Sequence, residues 1–334
     1  MTKDEFSMLT VLIVAYRRAQ NVKEILEVCL NSGIKSIYIT VDAPKTRSTE
    51  AVRDHQQVLQ VIENISSGSH PNVTIRVRVA ESNYGCAVSV ISGCDWAFQS
   101  ASELLVIEDD CIPNSTFFEF ANNNLNQLSL EKGVVMVCGT QFAPISLTGK
   151  VAMLSRYPLT WGWGTNREVW HEIRKSFEQN PYLLMLSQMI AINSDTSFWR
   201  AGSRRALSGV TDVWDTVLVE YMLRRNLLSI LPPRNLVLNN GNDTVATHIA
   251  LNSKWTYQPT HSDPILYTGR IEKNLAVEIW IRKFCYKISL RHLVSTRITL
   301  IADCLLLKKR KFRISLVKRL ETAKFSIYQI NRSI

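Results

Sequence analysis

The amino-acid sequence predicts an α/β protein in which helices flank a mostly parallel, doubly wound central sheet. Strand-like and helix-like patterns alternate through the first 110 residues, in the order βαβαβαβ. Three consecutive carboxylates, Glu108, Asp109 and Asp110, follow the fourth strand. Ligands bind at the carboxyl edge of such sheets, so this edge is the predicted site. The motif GxGxxG does not follow the first strand, which argues against a dinucleotide-binding protein. The motif GxxxxGK[ST] does not occur in the sequence, which argues against a P-loop protein.

Each element of the first half has its own local signal. The first two strands are buried apolar runs, and the helix between them has apolar residues at helical spacing and stops at Gly33. The third strand alternates apolar and polar residues. In chain order the predicted elements are the strand MLTVLIVAY (8–16), a helix ending at Gly33, the strand KSIYITVDAP (35–44), a polar helix (48–65), the strand NVTIRVRVAES (72–82), a helix (about 86–100) and the strand before the triplet.

The second half is less regular. VVMVCGT (134–140) predicts a continuation of the sheet, and VAMLSRY (151–157) predicts a further strand. DVWDTVLVEYMLRRN (212–226) has the pattern of a capped helix with a basic end, in which Asp212 or Asp215 lies near the start.

Length and composition indicate an ordered globular protein. A chain of 334 residues forms one large or two modest domains, and 46% of its residues are hydrophobic against only 13 Gly and 10 Pro. No N-terminal signal pattern and no run of about 18 apolar residues is present, so neither secretion nor a membrane span is expected. Seven cysteines without CxxC spacing predict reduced thiols in the cytoplasm.

The net positive charge of the protein comes entirely from the C-terminal tail. From Arg282 onward the chain has 14 Lys or Arg and two acids, a net charge of +12 in a protein whose total is +10. Apolar and basic residues alternate there, as in segments that bind anionic membrane surfaces. The alternative is a helical appendix that packs on the core with a solvated basic face. Nucleic-acid binding is not expected, because no recognition motif accompanies the charge.

Two groups of residues suggest ligand chemistry. Adjacent carboxylates repel one another and are costly to bury, so the acidic triplet predicts a bound cation, unless it is a solvated turn with Asp110 near a helix N-terminus. In YPLTWGWGTNREVWHEI (157–173), Trp161 and Trp163 flank a glycine. Flat aromatic faces suit a sugar ring, and packing in the core is the alternative.

Six segments occur along the chain in this order: VAYRR, VDAP, VIEDDCIPNSTFFEF, WGWGTNREVW, the WD helix and ATH (246–248). With this ordered set, the chain resembles inverting glycosyltransferases of the GT-A fold, which is Rossmann-like. The chain looks like the bacterial family 2 type of enzyme that assembles cell-surface polysaccharides such as lipopolysaccharide, and more distantly like N-acetylglucosaminyltransferase I. The resemblance covers roughly residues 8–250. It implies a catalytic domain over 1–260, with a nucleotide-sugar half (about 1–112) and an acceptor half (about 113–260). Residues 261–334 are then expected to form a basic amphipathic C-terminal helical region.

The resemblance also implies roles for individual residues. The nucleotide-sugar donor would be bound by Arg17 at the diphosphate and by Asp42 at the pyrimidine base. Asp110, as the last acid of the DXD-like triplet, would bind Mn²⁺ or Mg²⁺, and Asp215 would be the catalytic base. Glu108 and Asp109 would support the metal and the ribose or donor sugar, the loop residues Trp161, Trp163 and Gly164 would complete the donor site, and His248 would complete the metal shell.

Some positions depart from the family pattern. Ala87 and Val88 stand where many relatives have basic residues, and Thr216 stands where N-acetylglucosaminyltransferase I has its catalytic aspartate. Asp212, one helical turn before Asp215, therefore remains an alternative base.

The expected function is sugar transfer, with inversion, from a nucleotide-diphosphate sugar, in particular a UDP-sugar, to a hydroxyl of a glycan or lipid-linked acceptor. The enzyme would work in the cytoplasm, peripherally on the inner face of the plasma membrane, where the tail binds anionic lipid. Two alternatives stay open: a catalytically inactive relative that acts in assembly, and a sugar nucleotidyltransferase.

Overall fold

A computed structural model describes residues 8–179 apart from 69 and 71, residues 194–241, 259–266 apart from 264, 271–288, 291, 294, 298 and 315–330. His248, predicted as a metal ligand, lies outside the described residues. The strands are β1 (Thr10–Ala15), β2 (Ser36–Val41), β3 (Thr74–Ala80), β4 (Glu103–Glu108), β5 (Cys111–Pro113), β6 (Val134–Cys138), β7 (Met153–Ser155), β8 (Trp163–Asn166), β9 (Leu228–Leu231), β10 (Val237–Asn239), β11 (Glu272–Lys273) and β12 (Phe325–Ile330).

The helices surround these strands and follow the predicted order through the first half. They are α1 (Ala19–Asn31), α2 (Thr49–Ser66), α3 (Cys86–Ala97), α4 (Ser115–Leu125), α5 (Ile145–Thr148), α6 (Arg167–Arg174), α7 (Ser194–Leu207), α8 (Asp215–Arg225), α9 (Leu275–Trp280) and α10 (Leu316–Thr322). A 3₁₀ turn (Lys175–Glu178) follows α6, and a π-helical turn (Ile281–Cys285) follows α9.

One ten-stranded sheet forms the centre of the protein, in the order β11-β7-β9-β6-β8-β4-β1-β2-β3-β12. Its four strands β4-β1-β2-β3 are all parallel, and Val11 pairs with both Ile37 and Leu105 in neighbouring strands. Strand β8 runs antiparallel to both of its neighbours, and β5 and β10 form a separate two-stranded sheet. The predicted α/β class with a flanked, largely parallel sheet is thus confirmed, although the sheet is mixed.

Both faces of the sheet are covered by apolar residues. Every residue of β1 is buried; Leu12 belongs to one hydrophobic cluster, and its neighbours Val11 and Ile13 belong to another. Because successive side chains of a strand point to opposite faces, the two clusters lie on opposite sides of the sheet. A strand buried on both sides reads as a continuous apolar run, which is why the sequence predicted β1 and β4 correctly.

The C-terminal tail differs from the helical segment that was predicted. Leu316–Thr322 is a helix, but Phe325–Ile330 is a strand that pairs antiparallel with β3 and occupies one edge of the sheet. The guanidinium of Arg78 lies 3.8 Å from the ring centre of Phe325. A helical tail is therefore the wrong prediction for this stretch, because the backbone groups on the free side of β3 need hydrogen-bond partners and β12 supplies them.

Among the residues that the structure describes, none belongs to a helix that is both long enough and apolar enough to span a membrane.

Candidate functional site

The acidic triplet lies at the carboxyl edge of the sheet, as predicted. Glu108 ends β4, and the backbone N–H of Asp109 donates to the carbonyl of Val14 at the end of β1. The ends of two adjacent parallel strands therefore hold the triplet, at the place where α/β proteins bind ligands.

Asp109 shapes the loop between β1 and α1. Its Oδ2 accepts hydrogen bonds from the backbone N–H groups of Tyr16 at 2.7 Å and Arg17 at 3.1 Å, and its Oδ1 accepts one from Nη1 of Arg18 at 2.9 Å. The side chain is almost fully buried. Both carboxylate oxygens thus bind the protein itself, and Asp109 positions the loop in which Arg17 and Arg18 lie.

Glu108 and Asp110 are the two carboxylates of the triplet that burial makes expensive to ionise. Oε2 of Glu108 accepts from the Cys86 thiol at 3.4 Å, and Oε1 accepts from the Trp214 indole at 3.3 Å. Burial, together with the negative charge of Asp110, raises the pKa of Glu108 to about 8. Burial and the neighbouring Asp109 likewise raise the pKa of Asp110.

The donor chemistry of this pair fits a hard divalent cation. Two neighbouring carboxyl groups of this kind resist ionisation when no cation is present. Their ionised forms become favourable once a positive ion lies between them or beside them. A methyl group at Gly241 would lie 2.7 Å from Oδ2 of Asp110, so only glycine lets this backbone pass so close to the carboxylate. Within the described part of the chain, no group of three or more His, Cys, Asp or Glu residues is arranged to hold a metal.

Asp42 closes a loop beside the site. Its Oδ1 accepts from the backbone N–H of Tyr84 at 2.9 Å, and its Oδ2 accepts from the N–H of Gly85 at 2.7 Å and from Nδ2 of Asn83 at 3.0 Å. The carboxylate is buried, and burial raises its pKa despite these bonds. Asp42 therefore holds the segment that leads into α3, a structural role that the sequence did not reveal.

Asp212 binds the N-terminus of α3. Its Oδ2 accepts from the N–H of Cys86 at 2.9 Å, and its Oδ1 accepts from the N–H of Ala87 at 3.4 Å and from Nη2 of Arg319 at 3.0 Å. Gly85 has φ of 82°, and a methyl group there would lie 2.0 Å from Oδ2 of Asp212. Both oxygens of Asp212 are thus used, and only glycine fits at position 85.

Asp215, the predicted base, is the first residue of α8 and is half-buried. Its Oδ1 accepts from the backbone N–H of Thr216 at 2.8 Å. Its negative charge contributes to the raised pKa values of Glu108 and Cys86, so it belongs to the same electrostatic cluster as the triplet. The structure thus brings Asp215 close to Glu108 and Cys86, whereas the side chain of Asp212 accepts hydrogen bonds from the N-terminus of α3.

The two arginines that follow β1 have separate partners. Arg17, predicted to contact a diphosphate, donates from Nη2 to Asp54 at 2.6 Å and to Glu50 at 3.5 Å, both on α2. The ion pair with Asp54 raises the pKa of Arg17. Arg18, which the sequence interpretation left without a role, pairs with the triplet through Asp109. The structure therefore places the guanidinium of Arg18, rather than that of Arg17, in contact with the acidic triplet.

The tryptophan loop packs in the core, contrary to the prediction for two of its residues. Trp163 is completely buried, with its ring centre 6.2 Å from that of Trp170 and 5.2 Å from that of Trp214. Gly164 lies in β8, where a methyl group would come within 2.5 Å of Leu105. The packing alternative is correct for Trp163 and Gly164, because β8 inserts between β4 and β6 in the middle of the sheet.

Trp161 and Trp214 are better placed than Trp163 to affect a ligand. Trp161 is half-buried and meets Phe142 edge-on, with ring centres 4.8 Å apart. Trp214 packs against Trp163 with the two rings tilted by 33°, and its indole N–H donates to Glu108, so its buried ring holds a carboxylate of the triplet. The sequence pointed to Trp214 only as the neighbour of Asp215, since a contact between residues 106 positions apart has no local signal.

No protein-family model matches this sequence, and a search of characterised proteins finds no significant match.

Proposed function

We propose that this protein is a metal-dependent inverting glycosyltransferase that moves a sugar from a nucleotide-diphosphate donor, in particular a UDP-sugar, to a hydroxyl of a glycan or lipid-linked acceptor. The biological setting would be the synthesis of a cell-surface polysaccharide. The observation that carries the proposal is the half-buried pair Glu108 and Asp110 at the carboxyl edge of the sheet, both with raised pKa values, with Asp215 adding negative charge near Glu108.

Within this proposal, Asp110 and Glu108 would hold Mn²⁺ or Mg²⁺. When bound, such an ion neutralises the charge that develops on a departing diphosphate. Asp109 fixes the turn after β1, and Trp214 fixes the direction of the Glu108 carboxylate through its indole N–H. These two contacts keep the carboxylates in position before any ligand arrives.

Asp215 would take the proton from the acceptor hydroxyl as that hydroxyl attacks the anomeric carbon from the side opposite the diphosphate. One such in-line displacement inverts the configuration. Asp212 is less suited to this role, because both of its oxygens accept hydrogen bonds from α3 or Arg319. A carboxylate with its oxygens occupied is a weaker proton acceptor.

The enzyme would act in the cytoplasm on the inner face of the plasma membrane, bound peripherally through its basic C-terminal region. Lipid-linked acceptors are concentrated there, and anionic lipid attracts a segment of net charge +12.

The test is a screen of nucleotide sugars for thermal stabilisation of the protein with and without Mn²⁺. A ligand that binds only the folded state raises its melting temperature, so a donor should stabilise the protein in a metal-dependent manner. The selected donor is then assayed for metal-dependent hydrolysis or transfer. Binding without turnover would favour an inactive assembly protein, whereas binding of a nucleoside triphosphate with a sugar phosphate would favour a nucleotidyltransferase.

A further inference from the structure

One side of the helix that begins at Leu275 is apolar and exposed. Leu275 is 67% exposed, Ile279 is 44% exposed and Phe284 is 55% exposed. The opposite side packs on the protein through Val277, Ile281, Cys285 and Ile288, all of which are buried. The side of this helix that faces the core is already packed by apolar residues. The three large apolar side chains on its solvent-facing side therefore add nothing to the core.

The π-helical turn aligns these side chains. Leu275 and Ile279 are four residues apart and so lie on one face of the α-helix. Phe284 is five residues beyond Ile279, and the π turn over Ile281–Cys285 has hydrogen bonds with that longer spacing. The ring of Trp280 lies beside Phe284, with ring centres 5.3 Å apart. The result is a continuous apolar stripe rather than scattered residues.

Basic side chains border the stripe. Lys283 and Lys287 are exposed, whereas Arg282 turns inward to Asp195 at 2.7 Å. Further along, Arg291, Val294 and Ile298 are helical and exposed, at spacings of three and four residues. Lys283 lies in the π turn and Lys287, with φ of 52°, follows its end, so lysines border the apolar face on the helix and just beyond it. Apolar residues bordered by basic ones are typical of segments that lie in a membrane interface.

We infer that this surface, formed by Leu275, Ile279, Phe284, Lys283 and Lys287, is the face that docks on an anionic lipid bilayer. The helix lies in the plane of the headgroups with the apolar stripe inserted. This inference rests on the proposed peripheral location and makes it specific. The docking residues begin before the most basic part of the tail, and part of that tail, β12, belongs to the sheet instead.

Charge complementarity selects lipid over a second copy of the chain. A symmetric dimer through this face would bring Lys283 and Lys287 of each subunit close to those of the other, and like charges across an interface are unfavourable. An anionic headgroup layer attracts the same lysines.

The experiment measures co-sedimentation of the full-length protein with phosphatidylcholine vesicles, with and without phosphatidylglycerol. Binding is expected only with the anionic lipid and should weaken in high salt. The double variant Ile279→Glu, Phe284→Glu and the double variant Lys283→Gln, Lys287→Gln should each reduce binding roughly tenfold or more. The control Ile327→Glu changes another exposed isoleucine, on β12 at the opposite edge of the sheet, and should bind as the wild type does.

Equal binding by the wild type and both double variants would overturn the inference, as would equal binding to neutral and anionic vesicles. A wild-type dimer in solution that Phe284→Glu dissociates, without vesicle binding, would assign the face to a second copy and also overturn it. Thermal melting confirms that the variants fold. Thermal stabilisation of the protein by a nucleotide sugar with Mn²⁺ is measured in parallel and does not require lipid. A failure of the membrane-docking inference and a failure of the glycosyltransferase proposal therefore give different results.

Discussion

Arg319 donates a hydrogen bond to Oδ1 of Asp212 at 3.0 Å, across 107 positions of the sequence. The same guanidinium also donates to the carbonyl of Tyr84, and the hydroxyl of Tyr84 accepts from the N–H of Lys324 at 2.8 Å. Through Asp212, which binds the N-terminus of α3, the C-terminal segment is connected to the helix that carries Cys86 beside Glu108.

We expect Arg319→Gln to weaken donor binding more than it destabilises the fold. The ion pair is partly exposed, with side-chain exposures of 23% and 38%, so its loss should cost less than about 1 kcal/mol of unfolding free energy. Misplacement of the loop ahead of α3 should raise the donor KM by roughly tenfold. Lys318→Gln, an exposed neighbour on α10, is the control. If donor KM is the same in both variants, the Arg319 contact is only structural.

A charge-conserving change refines this test. Arg319→Lys should restore part of the donor affinity, because an ammonium still pairs with Asp212 but lacks the rigid planar guanidinium that reaches both Asp212 and the carbonyl of Tyr84. The double variant Asp212→Asn, Arg319→Gln should be less impaired than the sum of the single changes, since the two residues share one interaction.

Asp110→Asn should abolish metal-dependent donor binding and leave the fold intact. Removal of one carboxylate charge weakens a site for a hard cation far more than it weakens a ten-stranded sheet. Thermal stabilisation by Mn²⁺ and a nucleotide sugar is the measurement. Unchanged Mn²⁺ affinity and turnover in a folded variant would contradict the assignment. Asp263→Asn, an exposed carboxylate that pairs with Arg234, is the control for loss of one charge.

Without metal, the stability of the protein should fall as the pH rises from about 5 to about 8, the interval between the ordinary pKa of Glu108 and its raised value of about 8. A carboxyl whose folded-state pKa exceeds its unfolded value favours the fold when protonated, and that contribution is lost as the pH rises through the folded pKa. The slope for one proton is at most about 1.4 kcal/mol per pH unit.

Glu108→Gln should flatten this pH dependence in chemical denaturation, and excess Mn²⁺ should stabilise the wild type most at the alkaline end. The same slope in both proteins would show that another group is responsible.

Asp215→Asn should lower turnover by about a hundredfold or more while nearly preserving donor affinity, because a base is needed for the chemistry and not for nucleotide binding. Asp212→Asn should instead change donor affinity or stability, since its oxygens accept from α3. Steady-state kinetics with separate KM and kcat values distinguish the two. The reverse pattern would move the base to Asp212.

Trp214→Phe should shift the pH dependence of Mn²⁺ binding to higher pH by roughly one unit, because the ionised Glu108 loses the indole N–H that stabilises it. The phenyl ring keeps most of the packing against Trp163. Trp199→Phe is the matched control: this tryptophan is also buried, and its indole N–H has no hydrogen-bond partner within the described structure. A shift of equal size in both variants would indicate a packing effect alone.

Local patterns in the sequence were sufficient for the order of the first strands and helices and for the position of the acidic triplet. Strand β1 and the run before Glu108 are buried on both sides, so their continuous apolar character is visible without any knowledge of their neighbours. The triplet follows such a run directly, and the carboxyl edge of a parallel sheet is a general location for ligands. The polar helix predicted over 48–65 was likewise a local signal, and in the structure it is α2, which Ser48 caps.

The tertiary structure decided which of these side chains meet. Trp163 is of a residue type that often contacts sugar rings, but its strand lies between two others in the sheet, and the side chain is buried. Arg17 and Arg18 are adjacent, yet one faces α2 and the other the triplet. In the sequence, Arg319 is one of many basic residues in the tail. In the structure, β12 of the same C-terminal segment pairs with β3, and Arg319 contacts Asp212. Such contacts depend on strand order and on residues more than a hundred positions apart, and neither hydrophobic period nor charge along the chain encodes that information.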